Sequence, residues 1–242
     1  MQMHAGKWKS MNDLSFISTY TATREVRQTE ESMKLGTRAM EALRAEVTGL
    51  LAPGVELIVV GAIALPGTAV LVEKKEAYLA SFFSGAFLRE AASLFEKYSI
   101  YRDKPGSAEN VGKASRTVPW QLAERFGADA LLEAGESGIL AALWKMAEAS
   151  QVGLEADLRK IPVRQETIEV CERLDVNPYK LFSKGCLLAG MKNGTAFVNE
   201  CRRNGYPASI IGETHAGNDR LLYSGGNARY LERPGVDELK RF

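Results

Sequence analysis

The sequence predicts an α+β fold: a mixed or antiparallel sheet with helices packed on one face, preceded by an N-terminal helical arm. Three patterns point to it. The β-branched run from Val55 to Val60 reads as a buried strand, and it leads into a glycine- and proline-marked corner at Gly61 to Gly67, after which helical spacing takes over. After Trp120, short strand-like and helix-like segments alternate, the arrangement that lays helices against a sheet. The stretches ASIIGETHAG and DRLLYSGG then read as a strand, a turn and a strand.

The elements follow in chain order. The first twenty or so residues are polar and aperiodic and carry no element. Over residues 23–51, Met33, Met40, Leu43, Val47 and Leu50 fall at helical spacing, with Pro53-Gly54 as a stop and Gly36 as a point of breakage. Residues 86–99 are helical again. The polar stretch from Tyr101 to Pro119 is a loop whose Arg102, Lys104, Lys113 and Arg116 either contact an anion or are simply solvated. A helix is expected at 119–126 and a short strand at 128–132. In GILAALWKMAEASQVG the residues Ile139, Leu140, Leu143, Met146 and Ala147 form one apolar stripe of a helix. VGLEADLRKIPV reads as a strand ended by Pro162, QETIEVCERLDV as an amphipathic helix, NPYKLFSKG as a turn and CLLAGMK as a strand. TAFVNECRRNG is a helix with Gly205 at its C-terminal end.

Composition narrows the class of function. The 242 residues are 45% hydrophobic and 25% charged, ordinary values for a globular protein, and 31 basic against 30 acidic residues give a formal charge of +1. That balance is not the footprint of a nucleic-acid or membrane-surface binder. The three cysteines, Cys171, Cys186 and Cys201, have no histidine close by, so neither a disulfide framework nor a metal motif follows. No signal-peptide pattern and no membrane-length apolar run occurs, so a cytoplasmic location is expected.

Specific strings go further than periodicity. The run EAGESGILAALWKMAEASQVGLEADLRKIPVRQETIEVCERLDVNPYKLFSKGCLLAG resembles the C-terminal domain of the aminoimidazole ribonucleotide synthetase superfamily, and looks closest to its hydrogenase-maturation-like branch. VVGAIALPGTAVLVEKKEAYL is similar to the segment linking the two halves of such proteins, and YLERPGVDELKRF to the ending of that branch. The resemblance implies domain limits of 1–52 for an arm and helix and 53–242 for the α+β domain. In full-length relatives an N-terminal domain supplies the acidic residues that hold magnesium and ATP. Here the opening helix runs directly into the linker-like strand, as though that domain had been removed. Asp13 is the only aspartate in residues 1–54, and no GxxxxGK[ST] loop occurs.

The resembling half also departs from the pattern. Where relatives tend to read His-Asp-Val-Thr-Glu-Gly-Gly, this chain has Leu132-Glu133-Ala134-Gly135-Glu136-Ser137-Gly138. That turn normally opens a helix near the nucleotide phosphates, and Glu133 and Glu136 would repel them. The chain ends Lys240-Arg241-Phe242, without the terminal cysteine of the hydrogenase dehydratase.

The candidate residues follow. Ser137, Gly138 and Gly185 are the candidate ligand-binding residues. Ser137 and Gly138 are read either as an inherited mouth for a small anionic ligand or as an ordinary helix cap. Glu133, Glu136 and His215 are acid–base candidates, the histidine because it titrates near neutrality. Cys186, beside Lys184, is read either as a reactive thiol or as a buried strand residue. No metal site and no cofactor is expected, with ATP and magnesium entering only if a partner supplies the missing domain. The expected role is a binding or scaffolding subunit, acting as a homodimer formed through the N-terminal helix or with a partner protein. The alternative is the C-terminal half of an ATP-dependent synthetase completed in trans.

Overall fold

A computed structural model describes residues 35–103, 114 and 117–242. The chain divides into two units, Met1–Ala39 and Met40–Phe242. The second holds a mixed sheet of eight strands among the described residues. These are β1 (Thr48–Gly49), β2 (Glu56–Val60), β3 (Ala130–Glu133), β4 (Gly153–Asp157), β5 (Leu187–Met191), β6 (Ala208–His215), β7 (Arg220–Ser224) and β8 (Asn227–Tyr230), in the order β1-β3-β5-β2-β6-β4-β7-β8. The helices are α1 (Thr37–Glu46), α2 (Leu65–Lys74), α3 (Glu76–Leu79), α4 (Gly85–Ala92), α5 (Leu94–Tyr98), α6 (Val118–Arg125), α7 (Gly138–Ser150), α8 (Gln165–Leu174) and α9 (Gly194–Arg203).

Strand β2 sits centrally, antiparallel to β5 on one side and β6 on the other. Its residues from Leu57 to Val60 are wholly buried, which is why the sequence shows an unbroken apolar run instead of alternation. Ile58 and Val60 join Leu131, Leu187, Ala189 and Met191 on one face, where Trp120 and Leu122 of α6 and Phe197, Val198 and Cys201 of α9 pack on them. Helix α7 runs against β3 and β5, and every residue of its expected stripe is buried.

Five expectations about elements need correction. The strand expected to run to Pro162 ends at Asp157, whose carboxylate accepts the Arg159 N–H at 3.0 Å and opens a 3-10 turn over Leu158–Lys160. The helix expected over 23–51 ends at Glu46. Thr48 and Gly49 instead pair with Leu131 and Ala130, and Gly49 has φ +77° with Asp129 O only 2.1 Å from where a Cβ would sit, so a tertiary pairing stops the helix. Leu43 and Val47 are buried, Leu50 is exposed and Met33 lies outside the described residues. The helix expected over 86–99 divides at Ser93, whose hydroxyl bonds back to Glu90 O at 2.9 Å. β6 and β7 do not form a hairpin, because β4 lies between them, antiparallel to β6 and parallel to β7. β7 pairs with β8, a strand not expected, through Gly225-Gly226 with φ +58° and +90°. Of the loop cations, Lys104, Lys113 and Arg116 lie outside the described residues. Arg102 donates to Gly205 O and Asn204 O, both at 2.5 Å, and lies over the Tyr206 ring.

β6 carries one extra residue against β2: Leu57 faces Gly212 and Ile58 faces Ile210. Gly212 is required there, since an added Cβ would lie 1.8 Å from Glu155 O of β4. Gly212→Ala is therefore expected to destabilise the protein by about 1–3 kcal/mol, the usual cost of forcing atoms into a filled space, read as a lower urea midpoint.

Candidate functional site

The site forms where β3 hands over to α7. After Glu133 the chain turns through Ala134 and Gly135, and Gly135 O accepts N–H bonds from Ser183 at 3.1 Å and Gly138 at 3.2 Å. Ser137 adopts φ +60° and Gly138 φ +71°. The second position needs glycine, because a Cβ would lie 2.3 Å from Tyr179 O and 2.9 Å from Leu181 O.

The first turn of α7 carries the donor-rich end of a helix dipole, and an acid from the far end of the chain fills it. Asp237 is 3% exposed. Its Oδ2 accepts the Ser137 N–H at 2.6 Å, and its Oδ1 accepts those of Leu239 at 2.8 Å and Phe182 at 3.3 Å. Ser137 does not cap its own helix; its hydroxyl donates to Gly235 O at 2.8 Å. Around this contact the tail is held by Lys180–Glu232 at 3.0 Å and by Arg241 Nη1 donating to Asp175 O at 2.7 Å. The Lys180 hydrogen bond also keeps the Glu232 carboxyl below its ordinary pKa.

Glu133 and Gly185 are brought together: Glu133 Oε1 accepts the Gly185 N–H at 2.9 Å and the Tyr101 hydroxyl at 2.9 Å. Gly185, at φ +86°, leaves no room for a Cβ beside the Phe95 ring and Ser99. Glu136 is exposed and faces Lys240 at 3.4 Å. His215 lies elsewhere. It pairs with Gly153 just beyond the last turn of α7, so the length of that helix, about 20 Å at 1.5 Å per residue, separates it from Ser137. Its Nδ1 meets Ala216 O at 2.9 Å, while its Nε2 is buried without a partner. The three acid–base candidates therefore do not converge.

Asp237 is the residue that sequence reasoning missed. An aspartate two residues before a helical Leu239 is a local capping signal, but nothing local marks Ser137, a hundred positions away, as its partner.

All three cysteines are free and buried. Burial pushes the Cys171 and Cys201 thiols up to about 12 and Cys186 higher still, so Lys184 does not activate Cys186. Among the described residues no group of three His, Cys, Asp or Glu side chains is placed to hold a metal ion, and no helix is long and apolar enough to cross a membrane.

Sheet order, helix placement and the glycine corner together define an α+β domain built on one mixed sheet. The chain belongs to the AIR synthase related protein family, whose C-terminal domain model matches residues 52–223. Among solved structures it is similar to HypE in a HypE–HypF complex, with a TM-score of 0.57, 18% identity, and coverage of 76% of this chain and 54% of that one. It is also similar to the hydrogenase maturation protein HypE in complex with ATP, with a TM-score of 0.55, 16% identity, and coverage of 78% and 53%. A third similar structure is thiamine-monophosphate kinase from Stenotrophomonas maltophilia K279a, with a TM-score of 0.51, 19% identity, and coverage of 75% and 53%. At these identities the likeness is one of fold, and the chain spans just over half the length of each. No match was found among curated proteins.

Two outcomes follow from this geometry. Asp237→Ala strands the amides of Ser137, Phe182 and Leu239 and is expected to cost about 1.5–3 kcal/mol, with faster hydrogen exchange at the Ser137 amide as the site-specific readout. The thiols should be inert to a disulfide reagent in the native protein at neutral pH and react fully in urea. Because their folded pKa values are raised, stability should hold at neutral pH and fall as pH rises from about 9 towards 12, measured by urea melts across that range.

Proposed function

We propose that the chain works as a binding or scaffolding subunit and does not itself use ATP. The observation that carries this reading is the Asp237 carboxylate seated on the Ser137, Phe182 and Leu239 amides. A phosphate approaching the opening of α7 would have to displace a buried anion, with Glu136 beside it adding repulsion. The engagement of Glu133 by Gly185 N–H and the Tyr101 hydroxyl supports the same reading, since that carboxylate is committed to holding the turn.

A second reading has its own support. Tyr78, Phe82 and Ile168 are exposed apolar side chains, 49%, 47% and 43% accessible, carried by the α3–α4 region and α8, with Arg173 over the Phe82 ring. The Tyr78–Phe82 pair, with ring centroids 5.1 Å apart, suits a protein partner. That partner would be an ATP-binding chain, completing in trans the enzyme of which this domain is half. The relative crystallised with HypF shows that one HypE assembles with another protein.

Calorimetry of the purified chain with ATP and magnesium distinguishes the readings. The expected result is no saturable heat and no phosphate release; magnesium-dependent binding by the chain alone would overturn the first reading. Phosphate release that appears only on mixing with a separate ATP-binding chain would establish the second.

A further inference from the structure

We propose that the bare face of the sheet over β4, β7 and β8 is a docking site for a basic amphipathic helix of a partner protein. This rests on the scaffolding role above and gives it a surface and a partner chemistry. Residues that face one another across a sheet point to the same side. One row runs through Glu56, Glu213, Glu155, Leu221 and Tyr230 on β2, β6, β4, β7 and β8, and the next brings Tyr223 against Ala228. On β7 the alternate residues turn the other way: Arg220 bonds Glu148 of α7 at 2.6 Å, and Leu222 is buried. Over β5, β2 and β6 the first side is covered by α6 and α9. Over β4, β7 and β8 no helix lies on it among the described residues. There Tyr230 is 67% exposed, Ala228 is exposed, and Leu221 and Tyr223 are half-buried.

β7 therefore carries apolar side chains on both sides, Leu222 on one and Leu221 and Tyr223 on the other. That is the pattern of a strand covered on both faces, whereas a solvated face alternates to polar residues. Neighbouring strands lie about 4.8 Å apart, so three of them present a strip about 10 Å wide, the width of one α-helix. A helix seated there extends the layer that α9 begins over β2 and β6. The charge of that helix is specified as well. Glu155 and Glu213 stand directly opposite each other, an arrangement that repels, and neither forms an ion pair among the described residues. Glu155 lies beside the Tyr223 hydroxyl, at the border of the apolar strip. Asp157, one row further on, is already paired with Arg159 at 3.2 Å. A lysine or arginine on the rim of the incoming helix relieves the repulsion between the two glutamates, while its apolar stripe covers Leu221, Tyr223 and Tyr230.

The test uses the full chain and two helix-forming peptides of about 18 residues, long enough to hold a helix in water. One carries a leucine stripe flanked by lysines, and the other has glutamates in place of the lysines. Binding is followed by NMR of assigned backbone amides. The lysine peptide is expected to saturate with shifts centred on Glu155, Leu221, Tyr223 and Tyr230, and the glutamate peptide to bind at least about tenfold more weakly. The double variant Glu155→Gln/Glu213→Gln and the single variant Tyr230→Ala should each weaken the lysine peptide by about threefold or more, with a urea midpoint no lower than that of the unaltered chain as the check on folding. No saturable shift up to about 1 mM, shifts centred elsewhere, equal binding of the two peptides, or undiminished binding by either variant would each overturn the site. Shifts at the same amides that follow protein concentration without any peptide would put a second copy of the chain on this face and overturn the partner helix. None of these results involves ATP, so failure here leaves the calorimetric test of the subunit role standing.

Discussion

The structure depends on the ladder along Glu56–Val60. Five residues are hydrogen-bonded on both edges and almost entirely buried, so this strand fixes the positions of everything attached to its ends. At its carboxyl end the chain passes through Gly61, which packs against Gly185 O, and reaches Ala64, whose N–H is held by the Ser183 hydroxyl at 2.9 Å. At its amino end, the Glu56 carboxylate accepts the Gly194 N–H at 2.5 Å and caps α9. A single strand thereby sets the opening of one helix directly and, through the 181–185 turn, the surroundings of another.

Glu56 at α9 and Asp237 at α7 repeat one device. Both helices begin with a residue in the left-handed region, Asn193 and Ser137, that makes no side-chain cap of its own, and in both a distant carboxylate supplies the missing acceptor. An α-helix dipole favours any anion at that end, and it does not distinguish a ligand's phosphate from the protein's own acid. In this domain the acids are part of the fold, which turns positions suited to ligand capture into joints between remote segments.

Much of the fold could be read from the chain because burial leaves a period. The apolar run of β2, the stripe of α7 and the corner after Gly61 all came through, since each is dictated by neighbours a few residues away. The helix end at Glu46, the break at Ser93 and the insertion of β4 between β6 and β7 did not. Val47 keeps helical spacing, yet the next two residues are claimed by β3. The hairpin-like run from Ala208 to Ser224 looks the same whether or not a third strand enters between its arms. At the site, the glycine corner was legible and its occupant was not: Gly138 announces a close approach, while nothing near Ser137 names the acid that reaches it.

The placement of β4 bears on how the molecule is made. Its neighbours β6 and β7 both come from the last quarter of the chain, so β4 lies unpaired on a growing polypeptide until those segments leave the ribosome. The acid that closes the first turn of α7 follows β8 in the sequence and emerges later still. A nascent chain therefore carries a half-built sheet with open edges until β6 and β7 follow, and holding it apart from other chains in that interval is a job for cellular chaperones.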